Sequence, residues 1–139
     1  MTGDLPTARI RQSPMKTKKV LVVDDSKLLH RMFEMMLRGF PLVHAFDGRE
    51  ALDRLAEHKD VELILLDINM PRMNGLEFLT AVKAHPEFAR IPVVIITTEG
   101  TEDDTERGMQ AGAAAYVKKP FRNEELLGVI NKLTASPAA

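Results

Sequence analysis

At 139 residues, with 20 acidic and 19 basic side chains and a formal net charge of −1, the chain has room for one core and no overall positive field to draw in nucleic acid. It contains no cysteine, which removes disulfides and thiolate chemistry and is compatible with a reducing compartment. A composition 45% hydrophobic and 28% charged is that of a globular protein, and no apolar run approaches the roughly 20 residues of a membrane-spanning helix, so a cytoplasmic protein without membrane insertion is expected.

Residues 1–18 include Arg9, Arg11, Lys16 and Lys18 with Pro6, Ser13 and Pro14 but lack an apolar centre. They read as a flexible extension rather than a secretory signal. The first apolar run, Val20-Leu21-Val22-Val23, is followed by a segment of helical period carrying Leu29, Met32, Phe33, Met36 and Leu37 on one stripe. Met35 falls outside that stripe. A second run, Leu42 to Phe46, leads into a helix with Leu52, Leu55 and Ala56, opened by Asp47 with Glu50 three residues later. The third run, Leu63 to Leu66, precedes a helix with Leu76, Leu79 and Val82, for which Asn74 and Glu77 supply the start signal.

The fourth run, Val93 to Ile96, precedes a helix opened by Thr101 and Asp104 whose apolar stripe is thin: Met109 and Ala111, with Gly108 and Gly112 in and after it. This helix is expected to be the least firmly docked, and so suited to movement. The fifth run, Ala114 to Val117, is followed by a helix with Leu126, Leu127, Ile130 and Leu133. Runs one, three and four do not alternate apolar with polar residues, the pattern of strands buried on both faces of a parallel sheet. Runs two and five are weaker and belong nearer the edges.

Five strands alternating with five helices predict an α/β fold over 19–134: a doubly wound five-stranded parallel sheet of the flavodoxin-like (βα)5 type, with a short tail at 135–139. In such a sheet ligands bind beyond the carboxyl ends of the strands. There the sequence places Asp24-Asp25, Asp67, Thr97 and Lys119-Pro120. Three carboxylates gathered together repel one another unless a cation compensates. Oxygen donors without nearby His or Cys favour Mg²⁺. One carboxylate could then attack a phosphoryl donor and form an aspartyl phosphate, with Lys119 holding one phosphoryl oxygen and the Thr97 hydroxyl donating to another.

The segments Val22 to Ser26, Leu66 to Gly75, Ile96 to Glu99 and Tyr116 to Phe121 resemble the response-regulator receiver family, closest in size to its single-domain chemotaxis (CheY-like) type. The resemblance covers roughly residues 18–134. It implies that Asp67 is the phosphoacceptor, that Asp25 and Asp67 ligate Mg²⁺ directly, and that Asp24 acts through water with the Asn69 carbonyl as a further ligand. It implies that Lys119 pairs with the phosphoryl group, that Thr97 swings toward it, that Tyr116 turns inward on activation and that Lys119-Pro120 is cis. Met109, Tyr116 and Lys118 would belong to the surface that changes. Thr98 departs from the smaller residue common after the switch hydroxyl, and Asn69 and Glu99 are placed to tune hydrolysis.

The implied function is a two-component response regulator that accepts a phosphoryl group from a histidine kinase, catalyses only its own modification and its reversal, and signals to a downstream protein. A monomer or a weak phosphorylation-dependent dimer is expected. Alternatives are a phosphorelay intermediate or a receiver excised from a longer regulator and, in another class, an aspartate-nucleophile phosphatase, for which no cap-sized insertion is visible. A flavin binder would need glycine where Asp24-Asp25 stand. The four histidines, His30, His44, His58 and His85, lack ligand spacing and read as surface residues or packing fillers.

Overall fold

A computed structural model of the chain describes residues 19–67, 75–97 and 102–134, without the side chains of Thr97 and residues 102–105. The readings made above for 1–18, Asn69, Asn74, Thr98, Glu99, Thr101, Asp104 and 135–139 lie outside what is described. The elements alternate as β1 (Lys19–Val23), α1 (Lys27–Met36), β2 (Leu42–Ala45), α2 (Gly48–Glu57), β3 (Val61–Leu66), α3 (Gly75–Ala84), β4 (Val93–Thr97), α4 (Glu102–Gln110), β5 (Ala115–Lys118) and α5 (Asn123–Thr134).

The strands form one parallel sheet in the order β2-β1-β3-β4-β5. The runs without alternation are the three interior strands, and the weaker two are the edges. Helices explain the difference, because they cover both faces and leave an interior strand no solvated side. On one face Phe33 of α1, Leu37 at its C-cap, and Leu126 and Ile130 of α5 pack over Val20, Val22, Leu65 and Val94. On the other Leu55 of α2 and Phe78, Leu79 and Val82 of α3 pack over Leu21, Val23, Ile64 and Ile95. Each such side chain, fully withdrawn from water, contributes about 1.5–3 kcal/mol.

Three stripes are rotated from the sequence reading. Met32, expected in the core, is 42% exposed, because α1 turns its buried face toward His30, Phe33 and Leu37 and carries Met32 past its margin. Ala56 is exposed, while Ala51 and Leu55 are buried. In α3 Phe78 occupies the middle of the buried face and Leu76 its margin.

Local chemistry sets the helix starts. The Asp47 carboxylate accepts from Glu50 N at 2.8 Å, while Glu50 reaches back to accept from Phe46 N at 2.8 Å. At α1 the Ser26 hydroxyl accepts from Leu29 N at 3.2 Å, a cap that satisfies an otherwise orphaned donor. The chain leaves α4 through Gly112, at φ +112°, with Gly112 N donating to the Met109 carbonyl and Ala113 N to the Gly108 carbonyl. This is a Schellman termination, and only glycine takes that φ without strain.

Candidate functional site

The strand order places β1 and β3 side by side, while the connections leaving them run to opposite faces of the sheet. The loops after β1 and β3 therefore diverge and leave a crevice. Hydrogen bonding continues to the rim of this crevice: Asp24 N donates to the Ala45 carbonyl at 3.1 Å and Asp67 N to the Val23 carbonyl at 2.9 Å. Both carboxylates thus project from backbone that the sheet still holds.

Asp24, Asp25 and Asp67 offer carboxylate oxygens within 4.8 Å of one another, with Asp24 and Asp67 buried and Asp25 exposed. Asp24 is committed on both oxygens. Oδ1 accepts from Ser26 N at 2.9 Å and Oδ2 from Lys119 Nζ at 3.2 Å. Lys119 follows directly on β5, and the bond from it to Pro120 is cis. Among the described residues, three carboxylates gather beside one ammonium, so negative charge is in formal excess. Hard oxygen donors with this residual charge and one solvent-facing member fit a hard divalent cation.

The sequence-predicted residues Asp24, Asp25, Asp67 and Lys119 are therefore brought together. Thr97 ends β4 and its backbone pairs in register with Lys118. Tyr116, on edge strand β5, is partly buried against the core cluster on the sheet face that α2 and α3 also cover, and its buried hydroxyl has no hydrogen-bond partner among the described residues. Met109 and Lys118 lie at the surface.

One neighbour of the site escaped the sequence reading. His30, read as surface or filler, is buried, and its Nε2–H donates to the Asp24 carbonyl at 2.7 Å. Its ring lies against Phe46 at a centroid distance of 4.2 Å. Burial holds its pKa below the ordinary imidazole value, opposed by the hydrogen bond to Asp24. The available signal was helical spacing, since His30 lies at i, i+3 and i+7 with Phe33 and Leu37. A cavity of about 370 Å³ whose lining includes Leu55, His58, Val61, Phe88 and Ile91 contains none of Asp24, Asp25 and Asp67 and lies at the opposite end of the sheet.

Comparison with known proteins agrees with this geometry. Residues 20–131 match the family model described as the response regulator receiver domain. The chain is 36% identical over 111 residues to a chemotaxis protein CheY homolog of Campylobacter jejuni, covering 78% of this chain and 85% of that protein. It is 37% identical over 111 residues to chemotaxis protein CheY1 of Helicobacter pylori, covering 78% and 90%. Among solved structures, chemotaxis protein CheY4 of Vibrio cholerae superposes with a TM-score of 0.79 at 34% identity, covering 84% of this chain and 98% of that one.

Proposed function

Because the chain belongs to the response-regulator receiver family of two-component signalling, we propose that Asp67 is its phosphoacceptor and that the phosphorylated form switches a protein-binding surface. The observation that carries this reading is the convergence of Asp24, Asp25, Asp67 and Lys119 at the carboxyl ends of β1, β3 and β5. Asp25 and Asp67 would hold Mg²⁺ directly and Asp24 through water, with the Asn69 carbonyl as a further ligand. When bound, the ion supplies charge neutralisation for the phosphoryl oxygens.

The protein's own groups divide the remaining work. Asp67 provides the attacking carboxylate oxygen, and the donor's P–N bond breaks, with the phosphohistidine imidazole leaving, as the new acyl phosphate forms. Lys119 is a compact point charge on a flexible stem, and it can turn from Asp24 toward an incoming phosphoryl oxygen. The Thr97 hydroxyl donates to another oxygen, which draws the end of β4 inward. That movement would reach Tyr116, Met109 and Lys118, the surface by which a downstream protein reads the phosphorylated state. The donor is a histidine kinase, and the exchange takes place in the cytoplasm.

Intact mass spectrometry after incubation with acetyl phosphate and Mg²⁺ tests the reading. The expected result is one added phosphoryl group, lost in Asp67→Asn and when Mg²⁺ is chelated. No addition to the wild-type chain, or an addition that persists in Asp67→Asn, would overturn it.

A further inference from the structure

The cavity at the amino-terminal end of the sheet takes no part in the chemistry proposed above. Its floor is apolar: Leu55 of α2, Val61 at the start of β3, and Phe88 and Ile91 from the turn between α3 and β4, each at most 7% exposed. That turn is fixed before any ligand arrives. Lys83 Nζ donates to the Ala89 and Ile91 carbonyls at 2.9 and 2.8 Å, Ile91 N donates to the Phe88 carbonyl at 3.0 Å, and the His85 ring stacks on Phe88 at a centroid distance of 4.0 Å. A wall held in this way needs little ordering when a ligand binds, and a volume of about 370 Å³ falls within the range of small-molecule sites.

The rim is polar and carries more positive than negative charge, with Lys59 and Arg90 set against Glu87. Glu87 accepts from Lys59 at 3.4 Å, but the two side chains are 59% and 67% exposed, and a pair so open to water holds little energy. Asp60, next in sequence to Lys59, is engaged by Lys19 at 2.9 Å. Arg90 is exposed and makes no ion pair among the described residues. Its planar guanidinium fork matches the two oxygens of a carboxylate.

We propose that this cavity binds a small monocarboxylate with a single-ring or branched apolar body. The body lies on Leu55, Val61, Phe88 and Ile91, and its withdrawal from water drives binding. The carboxylate pairs with Arg90, and Lys59 can turn from Glu87 to assist. Helix α2 sets the orientation, because it ends beside the cavity at Glu57 and its carbonyl end disfavours negative charge. The apolar body therefore faces α2 and the carboxylate faces Arg90.

The test is a methyl NMR titration of the full chain with hydrocinnamate, set against hydrocinnamyl alcohol, which lacks the charge, and propionate, which lacks the ring. The expected result is a saturable shift of the Leu55, Val61 and Ile91 methyls with one hydrocinnamate per chain. The alcohol should bind about tenfold more weakly, as loss of a charged hydrogen bond does, and propionate should bind more weakly still. Arg90→Gln, at an exposed position that leaves the core intact, should weaken hydrocinnamate about tenfold and leave the alcohol unchanged. No saturable shift at these methyls would overturn the proposal. So would equal binding of acid and alcohol, or unchanged binding of hydrocinnamate by Arg90→Gln. Asp67 stands at the other end of the sheet, so neither outcome bears on its phosphorylation.

Discussion

Helices α3 and α4 follow one another in sequence but are held to the protein by different means. α3 sinks Phe78, Leu79 and Val82 into the core, and Lys83 in its last turn donates to the Ala89 and Ile91 carbonyls at 2.9 and 2.8 Å. Along residues 106–110 of α4, glycine is the one buried residue, and Met109 stands 44% exposed. A Cβ on Gly108 would lie 2.3 Å from Ile95 Cδ1. α4 therefore approaches by bare backbone where α3 interlocks side chains. Close approach without interlocking gives little resistance to displacement, and a helix beside the proposed phosphorylation site can use that freedom.

The largest test of this contrast is Phe78→Ala, which empties the middle of the α3 face and should lower unfolding stability by about 3–5 kcal/mol in denaturant titration. A loss no greater than that of a surface substitution would show that α3 is not the stronger anchor. Gly108→Val should cost less, about 1–3 kcal/mol, because α4 can lift away from the fully buried Ile95. Its signature would be faster amide hydrogen exchange along α4 with α3 unchanged. Equal exchange in both helices would mean that the two are docked alike.

The smallest effect is expected beside α4. The Tyr116 hydroxyl is enclosed without a partner among the described residues, and an unsatisfied buried polar group is unfavourable. Tyr116→Phe should therefore raise stability by about 1 kcal/mol, measured by thermal unfolding. A decrease would reveal a hydrogen bond to that hydroxyl and a firmer α4–β5 side than the comparison allows.

Much of this was legible in the sequence because it depends on local pattern. Val20–Val23, Leu63–Leu66 and Val93–Ile96 have no polar alternation, so they had to be covered on both faces, and they are the interior strands. Asp24, Asp67 and Lys119 each follow directly on a strand and Asp25 stands one residue further, and parallel strands put all such positions on one edge. Met32 and Ala56 were misplaced because period identifies a stripe but not its centre, which the neighbouring helix or strand selects. His30 was missed for a related reason. A polar residue on a buried face is stable only with a partner, and its partner is the carbonyl of Asp24 at the end of the adjoining strand.

The sequence by itself determined the number and order of elements, which strands are interior, and which carboxylates and lysine reach the active edge, since all follow from side-chain period and strand-end position. Tertiary structure alone decided that Lys119 meets Asp24 across 95 residues, that α1 rotates toward His30, and that His30 and His44 face each other from a helix and an edge strand. These depend on strand order and on how closely each helix approaches the sheet, and both are settled by packing among segments distant in the chain.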